Sequence, residues 1–145
     1  MSYLKLPKSR KSVRTARHWA APLLPVDVRE AAVLVLSELV TNAVAVGLGA
    51  RAPDVIEVEI TVDTSGQVSV HVTDPSDLAL PAPPADVPVD DESGRGLFLL
   101  DALADAHGWV RRASGGKCVW ALFHSRGALT VEPRPPGDIC LECCA

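Results

Sequence analysis

Residues 56–72 alternate strictly between apolar and polar side chains. Ile56, Val58, Ile60 and Val62 are separated by Glu57, Glu59 and Thr61. After the turn sequence DTSGQ, Val68, Val70 and Val72 are separated by Ser69, His71 and Thr73. A period of two puts every valine and isoleucine on one face of a β-hairpin and every polar residue on the other. An antiparallel sheet of this kind needs a cover for its apolar face, and helices are the available cover.

The remaining segments supply that cover. SVRTARHWAAPLL predicts a first helix, with Ser12 as its cap and Pro22 and Pro25 closing it. A second helix is expected from Asp27, as cap, to about Val46, with Gly47 and Gly49 as its stop. YLKLP reads as a short strand ended by Pro7. LFLLDALADAH reads as a third helix closed by Gly108, followed by the strands WVRRA and KCVWALF around the turn SGG. The expected fold is therefore α/β (α+β): a two-layer sandwich with a mixed, largely antiparallel sheet covered on one face by about three helices. The expected organisation is a basic N-terminal segment (1–11), one domain (12–126) and a tail containing Pro and Cys (127–145). Residues 75–93 lack periodicity and hold five prolines, which reads as a lid loop.

Charge and cysteine usage narrow the function classes. The net charge is −4, yet all six charged residues before residue 19 are basic, which leaves an acidic body. That body argues against direct nucleic-acid binding, although the basic segment could touch phosphate; its plainer reading is a solvated segment. No apolar run is long enough to span a membrane, and a cytoplasmic protein is expected. Three of the four cysteines, Cys140, Cys143 and Cys144, crowd into the terminal ICLECCA. A lone C-x-x-C is a weak metal motif: a structural zinc site takes four ligands, and no second pair or His cluster stands nearby in the sequence. A frayed tail is the plainer reading.

Three local features carry chemistry. The first is SELVTNAV, in the apolar second helix. Glu38 and Asn42 are stacked one turn apart, and Ser37 and Thr41 form the adjacent stack. A polar stripe on such a helix faces either water or a polar pocket, and spacing alone does not choose. The second is Asp74, which continues the inward row Val68, Val70, Val72 and is followed by Pro75. It is either a turn-starting cap or a ligand acceptor. The third is Ser93-Gly94-Arg95-Gly96, directly before the third helix. Unpaired helix N–H groups and glycine access suit an anion such as phosphate, with Arg95 adding charge; a tight turn is the plain alternative. Taken together the three fit a Mg-nucleotide. Asp74 would accept the adenine amino group, Gly94 to Gly96 would hold phosphates, the Asn42 amide oxygen would sit on Mg²⁺, and Glu38 would orient or deprotonate the attacking hydroxyl or water.

In this order and spacing the sequence resembles the GHKL, or histidine-kinase-like, ATPase domain over residues 12–124. SELVTNAV resembles its N box, VTDPSD lies where its first Asp-Gly box lies, SGRGLFLLDALAD resembles its second glycine box, and GGKCVWALF its closing strand. The nearest group is the single-domain bacterial proteins akin to anti-sigma-factor serine/threonine kinases. The resemblance implies a Bergerat-type fold that binds ATP with Mg²⁺. It also implies nucleotide contacts from Asn42, Asp74, Gly94, Arg95, Gly96, Leu97 and Cys118, and a catalytic Glu38. The implied partner is a regulatory protein of the anti-anti-sigma or sigma-factor type, and a homodimer is compatible. Two departures stand out. Pro75, Ser76 and Asp77 follow Asp74 where the family has glycines, and Cys118 stands where it often has Thr; as plain core, beside Trp120 and Leu122, Cys118 is equally well explained. These departures motivate an alternative, a non-catalytic partner-binding module. A third reading, the catalytic half of a two-component histidine kinase, is disfavoured. His18, His71, His107 and His124 all fall in elements of the sandwich, which leaves no phosphoacceptor helix pair.

Overall fold

The computed structural model describes residues 1–45, 55–74, 95–113 and 115–127, with the backbone alone for 95–98. The expected lid, 75–93, and the tail beyond residue 127 lie outside the described residues. The elements run β1 (Ser2–Pro7), α1 (Arg10–Ala20), a 3-10 turn (Ala21–Leu23), α2 (Val26–Ala45), β2 (Val55–Val62), β3 (Gln67–Asp74), α3 (Arg95–Leu103), β4 (Ala106–Arg111) and β5 (Lys117–His124). The five strands form one sheet in the order β1-β2-β3-β5-β4, and every neighbouring pair is antiparallel. The helices pack on one face, giving the expected two-layer α+β sandwich. Among the described residues no helix is long and apolar enough to cross a membrane.

The β2–β3 hairpin sets the register. Val58 opposes Val72 and Ile60 opposes Val70, and all four are buried beneath α2 with Leu36, Leu39 and Val40. Burying a side chain such as Leu36 contributes roughly 1.5–3 kcal/mol. The hairpin turn is held by Asp63, whose carboxylate accepts hydrogen bonds from the Ser65 amide and hydroxyl and from the Gln67 amide. Gly66 supplies the positive φ, 88°, that the turn requires.

Four sequence expectations shift. The cap of α1 is Ser9, whose hydroxyl accepts from the Lys11 amide; Ser12 lies inside the helix, and its hydroxyl donates to the Pro7 carbonyl. Helix α2 spans Val26–Ala45, with Asp27 in its first turn rather than before it. The Asp27 carboxylate instead accepts from the Ser125 hydroxyl and the Arg126 amide, pinning the start of α2 to the end of β5. Helix α3 begins at Arg95 and ends at Leu103, four residues short of His107. The reason is competition from the sheet. The Asp105 amide donates to the Leu122 carbonyl and its carboxylate accepts the His124 amide, so Ala106 to Gly108 enter β4. Last, the basic N-terminal segment is not simply solvated, since residues 2–7 form an edge strand on β2 and Lys8 is nearly buried.

Candidate functional site

With its first turn fixed at the far end of β5, α2 carries its C-terminal half over the end of the sheet where β3 finishes and β5 starts. Asn42 and Asp74 meet there. They line one pocket with Lys117, and Leu39, Ala43, Val72, Leu100 and Val119 form its apolar walls. The strand parity that makes Val70 and Val72 core residues also turns Asp74 inward. Helix α3 contributes Leu100 to the wall, and its first residues, Arg95, Gly96 and Leu97, form the opening turn of a nine-residue helix. Gly94 lies outside the described residues.

The polar stripe of α2 divides. Ser37 is buried and donates its hydroxyl to the Val33 carbonyl at 2.8 Å; Thr41 is exposed and donates to the Ser37 carbonyl at 2.7 Å. Both bond back into their own helix, a common resolution for Ser and Thr inside helices. That leaves Glu38 and Asn42, both half-buried, as the outward-reaching pair. Asn42 lines the pocket, whereas Glu38 is one turn away and outside the lining.

Asp74 has a setting that its sequence context does not disclose. It is 2% exposed and is flanked by two buried cations: Lys8 Nζ lies 3.0 Å from Oδ1 and Lys117 Nζ 3.8 Å from Oδ2. Lys117 is its partner across the β3–β5 ladder, and Lys8 follows β1 at the same end of the sheet. A carboxylate removed from water needs such partners to stay ionised. Burial pushes the Lys117 ammonium below its ordinary range, opposed by the Asp74 carboxylate and reinforced by Lys8. Both lysines escaped sequence reasoning: Lys8 was one of a basic run, and Lys117 was the residue before the closing-strand cysteine. The usable signal was register, since a residue opposite an inward aspartate also points inward.

Cys118 does not line the pocket. It pairs with Thr73, not Asp74, and lies on the face of β5 opposite the pocket, with Sγ 3.7 Å from His71 Nδ1. Lys117, the residue before it on β5, lines the pocket instead. Cys118 does share a face with Trp120 and Leu122, as parity requires, and that face is not the helix-covered core.

A five-stranded antiparallel sheet under three helices, with an inward strand-end aspartate, an asparagine on the covering helix and a glycine-opened α3, is the architecture of a histidine-kinase-like nucleotide-binding domain. The sequence profile of the histidine kinase-like ATPase domain matches residues 6–123, and the chain belongs to that ATP-binding family. It is also similar to an uncharacterized protein of Streptomyces coelicolor, 49% identical over 83 residues, which covers 56% of this chain and 69% of that protein.

The pocket residues are of the kind that hold Mg-ATP. Asp74 offers carboxylate acceptors, Asn42 an amide oxygen, and α3 a helix N-terminus. Among the described residues no cluster of three or more acidic, His or Cys side chains could hold a metal without help. Magnesium in such a site takes most of its ligands from phosphate and water.

Proposed function

We propose that the chain is a serine/threonine protein kinase of the anti-sigma-factor type, which phosphorylates or sequesters a regulatory partner protein. The observation that carries this reading is the convergence of Asn42 and Asp74 on one pocket, with Glu38 one helical turn from Asn42. Bound Mg-ATP would supply the transferable phosphoryl group. Asp74, flanked by Lys8 and Lys117, accepts a hydrogen bond from the amino group of the base. Asn42 gives its amide oxygen to the metal. The N–H groups at the start of α3 orient phosphate oxygens, where the helix dipole favours negative charge. Glu38, one turn from Asn42 and outside the pocket lining, takes the proton from the partner's serine or threonine hydroxyl in this reading. The pocket has a free volume of about 10 Å³, roughly one water, so its walls separate when a base enters.

A second reading is a non-catalytic partner-binding module with weak or no turnover. It is favoured by the lysines that engage the Asp74 carboxylate and by the placement of Cys118 away from the pocket. The two separate on incubation with Mg-[γ-³²P]ATP and a candidate regulator. Label on a partner serine or threonine that disappears in Glu38→Ala supports the kinase. Partner binding without label supports the module.

A further inference from the structure

Helix α1 carries a row of cations that the nucleotide pocket does not use. Arg10, Arg14 and Arg17 are exposed and follow one another at one-turn spacing, with His18 beside Arg17. They line a groove of about 550 Å³ where α1 meets α2, and the half-buried Val13 and Val33 form its floor. The Arg14 guanidinium donates to the His18 imidazole at 3.4 Å, which holds two of these groups together. Among the described residues none of the three guanidiniums has a carboxylate within ion-pair distance, whereas Lys5, Lys8 and Lys117 each have one.

Helix stability does not explain this row. Like charges one turn apart destabilise a helix, and Arg10 and Lys11 stand in the first turn, where the dipole disfavours cations and no acidic residue offsets them. The apolar side of α1, with Ala16 and Ala20, is committed to the core, so the helix has no second apolar face to lay on a membrane. The acidic body of the chain repels nucleic acid. An isolated phosphate meets the guanidiniums and leaves the two valines uncovered. The occupant that uses the whole groove is a helix with carboxylates in a row and aliphatic side chains beside them. From Arg10 to Arg17 the row is about 10 Å long, two turns of helix, and carboxylates at one-turn spacing on a facing helix match that length. Arginine suits such a partner, because its planar fork donates two parallel hydrogen bonds to a carboxylate.

We propose that this groove docks an acidic amphipathic helix of a partner protein, with Arg10, Arg14 and Arg17 on its carboxylates and Val13 and Val33 against its aliphatic side chains. The site rests on the reading of a partner-binding protein, kinase and module alike, and names the part of the partner that is held. It is separate from the nucleotide pocket: Val33 stands nine residues before Asn42 on α2, about 14 Å along the helix.

The test selects a displayed library of helical peptides on the wild-type chain at physiological ionic strength. Fluorescence anisotropy then compares the recovered peptide on wild type and on the double variant Arg14→Glu, Arg17→Glu. We expect recovered sequences with an acidic stripe beside Leu, Ile or Val, bound at least about tenfold more weakly by the double variant. Replacing the peptide's acidic residues with lysine should restore affinity for that variant. Both positions are exposed, and circular dichroism checks that the variant is folded. Recovered peptides without an acidic stripe, no enrichment at all, or unchanged affinity in the folded variant overturns the proposal. So does tighter binding of phosphatidylserine vesicles or duplex DNA than of the peptide. Transfer of label from Mg-[γ-³²P]ATP to a candidate regulator separates this site from the kinase reading. Transfer undiminished in the double variant sinks the groove and leaves the kinase standing; no transfer by either protein, with peptide docking intact, does the reverse.

Discussion

The Lys8 ammonium stands 3.0 Å from the Asp74 carboxylate, and the two side chains are 5% and 2% exposed. This pair ties the first turn of chain after β1 to the end of the third strand and sets the charge of the pocket. Removing one partner of a buried pair costs about 3–5 kcal/mol when the other is left uncompensated. Lys117 remains near the carboxylate, 3.8 Å away, so Lys8→Met is expected to cost about 2 kcal/mol, below that range. Urea unfolding measures it: an unchanged midpoint would show that the pair is energetically neutral.

Glu38 and Asn42 are expected to separate under mutation. Glu38→Ala should keep nucleotide affinity and lose phosphoryl transfer by about 10²–10⁴-fold, the usual contribution of a general base. Asn42→Ala should lose the magnesium dependence of binding. Single-turnover transfer assays alongside titrations with and without Mg²⁺ check both. Transfer that survives Glu38→Ala would remove that residue from its assigned role.

Stability should fall with acid in two stages. Burial holds the His71 imidazole below its ordinary value of 6.5, an effect partly offset by the Glu59 carboxylate. The unfolded chain therefore binds a proton that the folded chain refuses, and stability declines as pH drops below about 6.5. Asp27 is shifted in the same direction and acts in the same sense at lower pH. The Ser125 hydroxyl and Arg126 amide hold its carboxyl below 3.8, so its contribution is present above 3.8 and lost as pH falls through the lower folded value. Urea midpoints across pH should show the first stage abolished in His71→Gln and the second reduced in Asp27→Ala.

Gly108 lies on β4 directly opposite Trp120, and a Cβ there would come 2.7 Å from the indole Cζ2. The ring must move to admit it. Gly108→Ala is expected to destabilise by about 1–3 kcal/mol, the usual cost of overpacking, with an altered tryptophan near-ultraviolet signal. No change in either observable would mean that the indole has room to shift at no cost.

The hairpin and the length of α2 were legible because their periodicities are local and one face of each is buried. The inward direction of Asp74 followed from the same parity. The end of α3 was not legible: LADAH continues a helical pattern, and only pairing of Asp105 with Leu122 and His124 ends it. The same holds for the pocket's charge. Lys8, Asp74 and Lys117 are far apart in sequence, and their meeting depends on the strand order β1-β2-β3-β5. Lys117 lines the pocket and Cys118 does not, a difference of one residue that in a strand is a change of face.

Calorimetric titration of the chain with Mg-ATP, for wild type and Asp74→Asn, tests the central claim that Asp74 reads the base from between its two lysines. Circular dichroism first establishes that the variant is folded. We expect saturable binding by wild type and at least tenfold weaker binding by the variant, a difference of about 1.4 kcal/mol or more. Equal affinities in the two folded proteins, or no binding by wild type, would contradict it.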